Sequence, residues 1–297
     1  MSGRMSGREP GGWDRAGFSG SGGAGDSGLS GSPAAALLRR LRDRSPRVHC
    51  IENLAVAPDV ANILLAAGAK PILAQAKEEA GEIAAACDAV VLNFGTPDGE
   101  KFEAIRRAGT AAAAAGVPLV ADPVGAGASP WRRENTLAIL RDVPFSAIHC
   151  NFSEALTLLG ETAEFHGVDS AKAPFPARKE AAERLAARRG CAVLISGEED
   201  IVAHGSRTAV IRGGTSAMGR VTGTGCMLSA LSGAFCAVEK DPFLALSAAA
   251  SFWKACGEAA WEETRRTGGG PGTFHVRLFD AAWLTEEWRE NIEFIKG

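Results

Sequence analysis

The sequence predicts an α/β fold: a mainly parallel sheet covered by helices on both faces. Three observations carry this expectation. Short apolar runs alternate with stretches of helical periodicity, and each run ends in small, polar or acidic residues. Of the 297 residues, 46% are apolar and 23% charged, which is enough to fill a sizeable core.

Taken in order, residues 1–32 hold 11 glycines and open on a repeated MSGR. Such a segment buries too little apolar surface to order itself, so a disordered tail is expected, followed by one domain over 33–297. The tail's GSGGAG matches a dinucleotide-binding pattern formally but lacks the flanking strand and helix. Pro33 suits the first turn of an amphipathic helix, PAAALLRRLRDR. VHCI, DAVVLNF, VPLVADP, SAIHCN and CAVLISG read as strands, each near its own helix. DIVAHGSRTAVIRGG reads as an antiparallel edge hairpin turning at Gly205 and Ser206. After Gly223 the pattern predicts helix to the end.

A net charge of −3 offers no electrostatic footprint for nucleic acid or an anionic membrane, so a small-molecule partner is expected. Seven scattered cysteines without a C-x-x-C pair read as reduced core residues, and the start has no apolar signal region. A cytoplasmic setting follows from both. The five histidines show no metal-ligand spacing. The charge-free run Val221–Val238 is nearly long enough for a membrane. It opens on Thr-Gly-Thr-Gly and carries Ser229, Ser232 and Gly233, so a core helix fits better.

Three motifs follow the apolar runs. VTGTGC brings glycines to the start of a helix, whose free N–H groups and dipole suit an anion such as a phosphate under transfer. DPVGAG supplies Asp122 before a glycine-rich turn, and HCNFSE supplies Glu154. Singly, these read as a tight turn, a helix cap and a solvated glutamate. Jointly, two carboxylates beyond neighbouring strands suit magnesium held through oxygens, water and nucleotide phosphates. No Walker-type loop is present.

The series HCIENLAV, ANILLAAGAKPILAQAKEE, VLNFGT, VADPVGAGASPWR, CNFSEAL, LISGEEDIV, VTGTGCMLSALSGAFCAV and GGPGTF resembles the hydroxyethylthiazole kinases. It runs in order from about His49 to about Asp280. The resemblance implies a ribokinase-like three-layer sandwich, ATP and Mg2+ as cofactors, a thiazole alcohol of thiamine salvage as substrate, and a homotrimer. It implies that Cys226 is the catalytic base, where most relatives of the wider fold carry aspartate. Gly223 and Gly225 would form the anion hole. Asp122 and Glu154 would organise metal and phosphates. His149, Asn151, Ser196 and Thr222 fall on the nucleotide side, and Asn53, Asn62 and Leu73 on the thiazole side.

Four positions depart from the family pattern. His149 stands in place of an arginine, exchanging a permanent charged fork for a residue expected to be partly protonated at neutral pH. Leu73 replaces a methionine, Ser196 a threonine, and Glu52 a threonine, the last bringing an expected extra charge near the substrate. Glu52 and Leu73 keep open a kinase of another heterocyclic alcohol, such as hydroxymethylpyrimidine. His149 keeps open a nucleotide- or thiazole-binding protein without catalysis. The helix N-terminus also leads to an expectation of a modestly acidic Cys226 thiol.

Overall fold

A computed structural model describes residues 32–161 and 173–295. All of the expected tail except Ser32 lies outside the described residues; Ser32 accepts a hydrogen bond from Ala35 as cap of α1 (Pro33–Arg44). Strand β1 (Arg47–Ile51) leads through α2 (Ala57–Ala67) to the edge strand β2 (Lys70–Ile72). From there α3 (Ala80–Ala86), β3 (Ala89–Asn93), α4 (Gly99–Ala115), β4 (Leu119–Asp122), α5 (Pro130–Asp142), β5 (Ala147–Asn151), α6 (Phe152–Leu159), α7 (Phe175–Arg189) and β6 (Ala192–Ser196) alternate. The hairpin β7 (Asp200–His204) and β8 (Arg207–Ile211) follows, then a 3-10 turn (Ser216–Arg220), α8 (Thr224–Cys236), α9 (Pro242–Arg266), α10 (Pro271–Leu284) and β9 (Ile292–Ile295).

Among the described residues nine strands form one sheet in the order β2-β1-β3-β4-β5-β6-β7-β8-β9. The first six are parallel, and β7, β8 and β9 each pair antiparallel with the strand before. Two expectations are corrected. β2 and β9 were not expected as strands, and the chain after Gly223 is not helical to its end. Both are short edge strands that bury little, and Pro71 is tolerated in β2 because an edge leaves some N–H groups unpaired.

Period-two alternation divides the core into two layers. Val48, Cys50, Val91, Val120 and Ala147 face the layer that contains Leu38, Leu64, Phe235 and Phe252. Ile51, Val90, Leu92, Ala121 and Ile148 face the layer of Ile105, Ile139 and Leu185. The charge-free run is the central helix α8, buried from Cys226 through Cys236 against β1, β3 and β4. No helix among the described residues is long and apolar enough to cross a membrane.

Strand order reverses between β1 and β3, because β2 lies outside β1 while β3 to β6 run outward on the other side. Loops at the carboxyl ends of two such strands diverge and leave a crevice, the usual ligand position in open α/β sheets.

Candidate active site

Register builds the site. Two residues beyond Cys50, Val91, Val120 and Ala147 stand Glu52, Asn93, Asp122 and His149, so all four share the sheet face on which α8 packs. Asn93 pairs directly with Asp122, and His149 and Asp122 each lie one step beyond the paired Ala121 and Ile148. Asn151 and Ser196 are likewise register partners at the ends of β5 and β6.

The N-terminus of α8 closes over this row. Gly223 caps it at φ 88°, a left-handed conformation that an L side chain enters at a cost. A Cβ there would lie 2.6 Å from Val56 Cγ1, so Gly223 also permits close approach to α2. Thr222 and Gly225 are exposed and leave the helix start open to a ligand, while Cys226 is buried. Asn93 Nδ2 donates to Asp122 Oδ2 at 2.7 Å and to Cys226 Sγ at 3.2 Å. Cys226 and Ser229, one turn apart on α8, both neighbour Asp122. Ser229 Oγ lies 2.6 Å from His149 Nδ1.

These surroundings set the charge states. Burial first, and Glu154's charge second, raise Asp122 to about 7 against the polar side chains of Ser229, Cys226 and Asn93, which oppose the shift. Burial lowers His149 to about 4. Glu154 forms a capping box with Asn151: its Oε2 accepts from Asn151 N and its Oε1 from Gly125 N, each at 2.9 Å. Its carboxyl is raised by burial and held back by those two N–H groups. Among the described residues no group of three or more His, Cys, Asp or Glu side chains is disposed to hold a metal. Asp122 and Glu154 alone suit a cation that keeps waters and borrows phosphate oxygens, which is magnesium's habit.

The Hydroxyethylthiazole kinase family model matches residues 38–287. The chain belongs to this family. A hydroxyethylthiazole kinase of Listeria monocytogenes is 42% identical over 253 residues, spanning 84% of this chain and 93% of that one. One from Thermoanaerobacter pseudethanolicus is 41% identical over 252 residues, 84% and 94% respectively. The structure of the Pyrococcus horikoshii hydroxyethylthiazole kinase protein superposes with a TM-score of 0.77 at 36% identity, covering 88% of this chain and 98% of that one. A Staphylococcus aureus pyridoxal kinase with AMP-PCP and pyridoxal shares the fold, at a TM-score of 0.53 and 19% identity over 72% of this chain and 88% of that one. The expected ribokinase-like fold is the fold observed.

Four expectations for this hydroxyethylthiazole kinase family member change. His149 is neutral at pH 7, not partly charged, because it is shut between β5 and α8. The Cys226 thiol is not acidic: burial, then Asp122 and Glu52, push it well above the usual thiol range and outweigh the helix dipole. Glu52 presents no open charge to a substrate. It is fully buried, and burial followed by Asp122 pushes its carboxyl well up, with Lys101 opposing. Glu154, which read singly as a solvated glutamate, is a half-buried cap.

Asn53 and Leu73 are half-buried near the carboxyl ends of β1 and β2, while Asn62 is exposed on α2 and takes no part in the buried cluster. Sequence reasoning placed Asn93 on the rim of the sheet without a role, and missed Ser229 and Lys101. Asn93 ends its apolar run as Asp122 does, and that shared position was the available signal.

Proposed function

We propose that this chain transfers the γ-phosphoryl group of ATP to the hydroxyethyl oxygen of a methyl-hydroxyethylthiazole, the salvage step that returns this heterocycle to thiamine synthesis. The observation that carries the reading is the meeting of Cys226 with Asp122 and Asn93 beneath the open N-terminus of α8. Family membership over residues 38–287 and relatives named for this activity support it. Positioning and charge neutralisation do most of the work in such a transfer.

The backbone N–H groups at Gly223 to Gly225 hold the moving phosphoryl group. The alcohol oxygen forms its bond to phosphorus as the bond to the ADP oxygen breaks. Because Cys226 keeps its proton at neutral pH, it relays: Sγ receives the hydroxyl proton while passing its own to the neighbouring Asp122 carboxylate. The proton moves late, as the new oxygen–phosphorus bond forms. Magnesium, when bound, neutralises phosphate charge; Glu154 and Asp122 would hold it through water and phosphate oxygens. Asn151 and Ser196, side by side at the rim, with Thr222 suit the nucleotide. Asn53 and Leu73 suit the heterocycle.

A homotrimer with sites at subunit boundaries is part of the proposal, supported by Leu54, an apolar side chain 71% exposed beside Asn53. A reducing cytoplasmic setting is supported by seven free, buried cysteines. Coupled ADP release with hydroxyethylthiazole, ATP and magnesium tests the activity, and ADP is expected only when the alcohol is present. Tight alcohol binding by calorimetry without ADP would establish a binding protein instead. The departure of Leu73 from the family's methionine keeps a second acceptor in view, such as hydroxymethylpyrimidine. Running both alcohols in the same assay separates the two.

A further inference from the structure

Lys101 stands where a lysine should not. It lies in the first turn of α4, at the positive end of a helix dipole that disfavours cations, and it is buried. Its Nζ donates to the carbonyl of Glu52 at 2.7 Å and to that of Gly95 at 2.6 Å. These carbonyls follow β1 and β3, the two strands that flank the reversal of strand order.

Further contacts join the same two loops. The Asn53 amide packs so close to Gly95 that a Cβ at that glycine would lie 2.7 Å from Asn53 Nδ2. Leu54 N donates to Thr96 Oγ1 at 3.2 Å, with Thr96 held at φ 43°. Gly95 N donates to Asn93 Oδ1 at 2.8 Å, and Asn93 Nδ2 holds Asp122 and Cys226. From one ammonium, contacts therefore run in two directions. Through Gly95 and Asn93 they reach Cys226; through Glu52 they reach Asn53.

We propose that Lys101 is a positioning residue for the alcohol half of the site, fastening the ends of β1 and β3 so that Asn53 and Cys226 meet the acceptor in fixed register. Burial lowers the Lys101 pKa to about 8, and the neighbouring acids Glu52 and Asp122 oppose that fall. Among the described residues Lys101 makes no hydrogen bond to Asn151 or Ser196, which mark the nucleotide half on β5 and β6. The proposal rests on the kinase reading above.

The test is a split in Michaelis constants. Lys101→Met keeps the stem and removes every donor; it should raise KM for the alcohol about tenfold or more while KM for ATP stays within about twofold. Thr96→Val, an exposed change of similar shape, removes only the acceptor for Leu54 N. It should raise the alcohol KM roughly threefold, the scale of one hydrogen bond. An alcohol KM within about twofold of the parent in the soluble variants overturns the proposal, as does a KM for ATP that rises in step. If Lys101→Met fails to fold, Thr96→Val decides alone. A parent chain that releases no ADP with any alcohol refutes the kinase reading and this proposal with it; an active parent with unmoved constants refutes the proposal only.

Discussion

Gly223 offers the most direct physical test of how α8 is seated. Replacing it with alanine puts a Cβ on a residue held at φ 88°, which costs about 1–2 kcal/mol for a left-handed L residue. The new methyl would lie 2.6 Å from Val56 Cγ1 and 2.9 Å from Val56 Cβ. Val56 has no room to retreat. It is buried, it caps α2, and its backbone is tied to Asn53 O and to Val60 N, each at 3.0 Å. Overpacking of this kind adds about 1–3 kcal/mol.

The combined loss is about 2–5 kcal/mol, which for a domain of this size lowers Tm by roughly 5–15 °C. Gly219→Ala is the control, since a Cβ at Gly219 meets nothing within 4 Å and its φ is not positive. Melting curves of both variants beside the parent give the answer. The kcat of Gly223→Ala should also fall, because the shifted helix start no longer aims its N–H groups at the phosphoryl group. If Gly223→Ala melts together with Gly219→Ala, the tight seating of α8 against α2 is wrong.

Three further outcomes are expected. Cys226→Ala should lower kcat about 10²-fold, the scale of a positioned proton-transfer group, with KM for ATP little changed; a parental rate would make Cys226 a packing residue. The parent thiol should also react slowly with iodoacetamide at pH 7, because it is neutral there. Glu154→Gln should cost about 1–3 kcal/mol in urea denaturation, since an amide accepts only one of the two N–H bonds that the carboxylate takes from Gly125 and Asn151. An unchanged midpoint would mean that the cap contributes nothing.

His149 should make stability depend on pH. Its folded-state value lies near 4 against an ordinary 6.5, so between those values the unfolded chain binds a proton that the native chain does not. Its contribution is complete above pH 6.5 and is lost as pH falls toward 4, by roughly 3 kcal/mol in all. Asp122, raised to about 7, acts in the opposite sense as pH rises from about 4 to 7. The parent-minus-variant difference for His149→Gln is therefore the quantity to measure, and a flat difference across the window would refute the assignment.

Legibility in the sequence followed burial. β1 and β3 to β6 were readable because each is a largely apolar run covered on both faces, and the β7–β8 hairpin because Gly205 marks its turn. β2 and β9 were not, since a short edge strand bearing Lys70 or Glu293 has no such run. Cys226 stood out where a glycine-rich turn meets a helix, and Asp122 and His149 at the ends of apolar runs. Asn93 occupies the same place without a charge. Lys101 was hidden in GEKFE, a helix opening that looks like any solvated face; its burial depends on Glu52, 49 residues earlier. The thiol's acidity was misjudged for the same reason, because the helix dipole is local, whereas the burial that raises the thiol most, and Asp122 and Glu52 after it, come from distant chain.

The order of the chain has a consequence for how the protein is made. β1, β3, β4 and β5 leave the ribosome well before α8, the helix that covers their shared face. At about 5–20 residues per second, several seconds separate the last residue of β5 from the first of α8. Throughout that interval Val48, Val91, Val120 and Ala147 present an apolar surface with no partner for its centre. Such a nascent apolar surface is prone to self-association and to capture by holdase chaperones. Substitutions that weaken the seating of α8, Gly223→Ala among them, should therefore reduce soluble yield in the cell before they alter the kinetics of the purified enzyme.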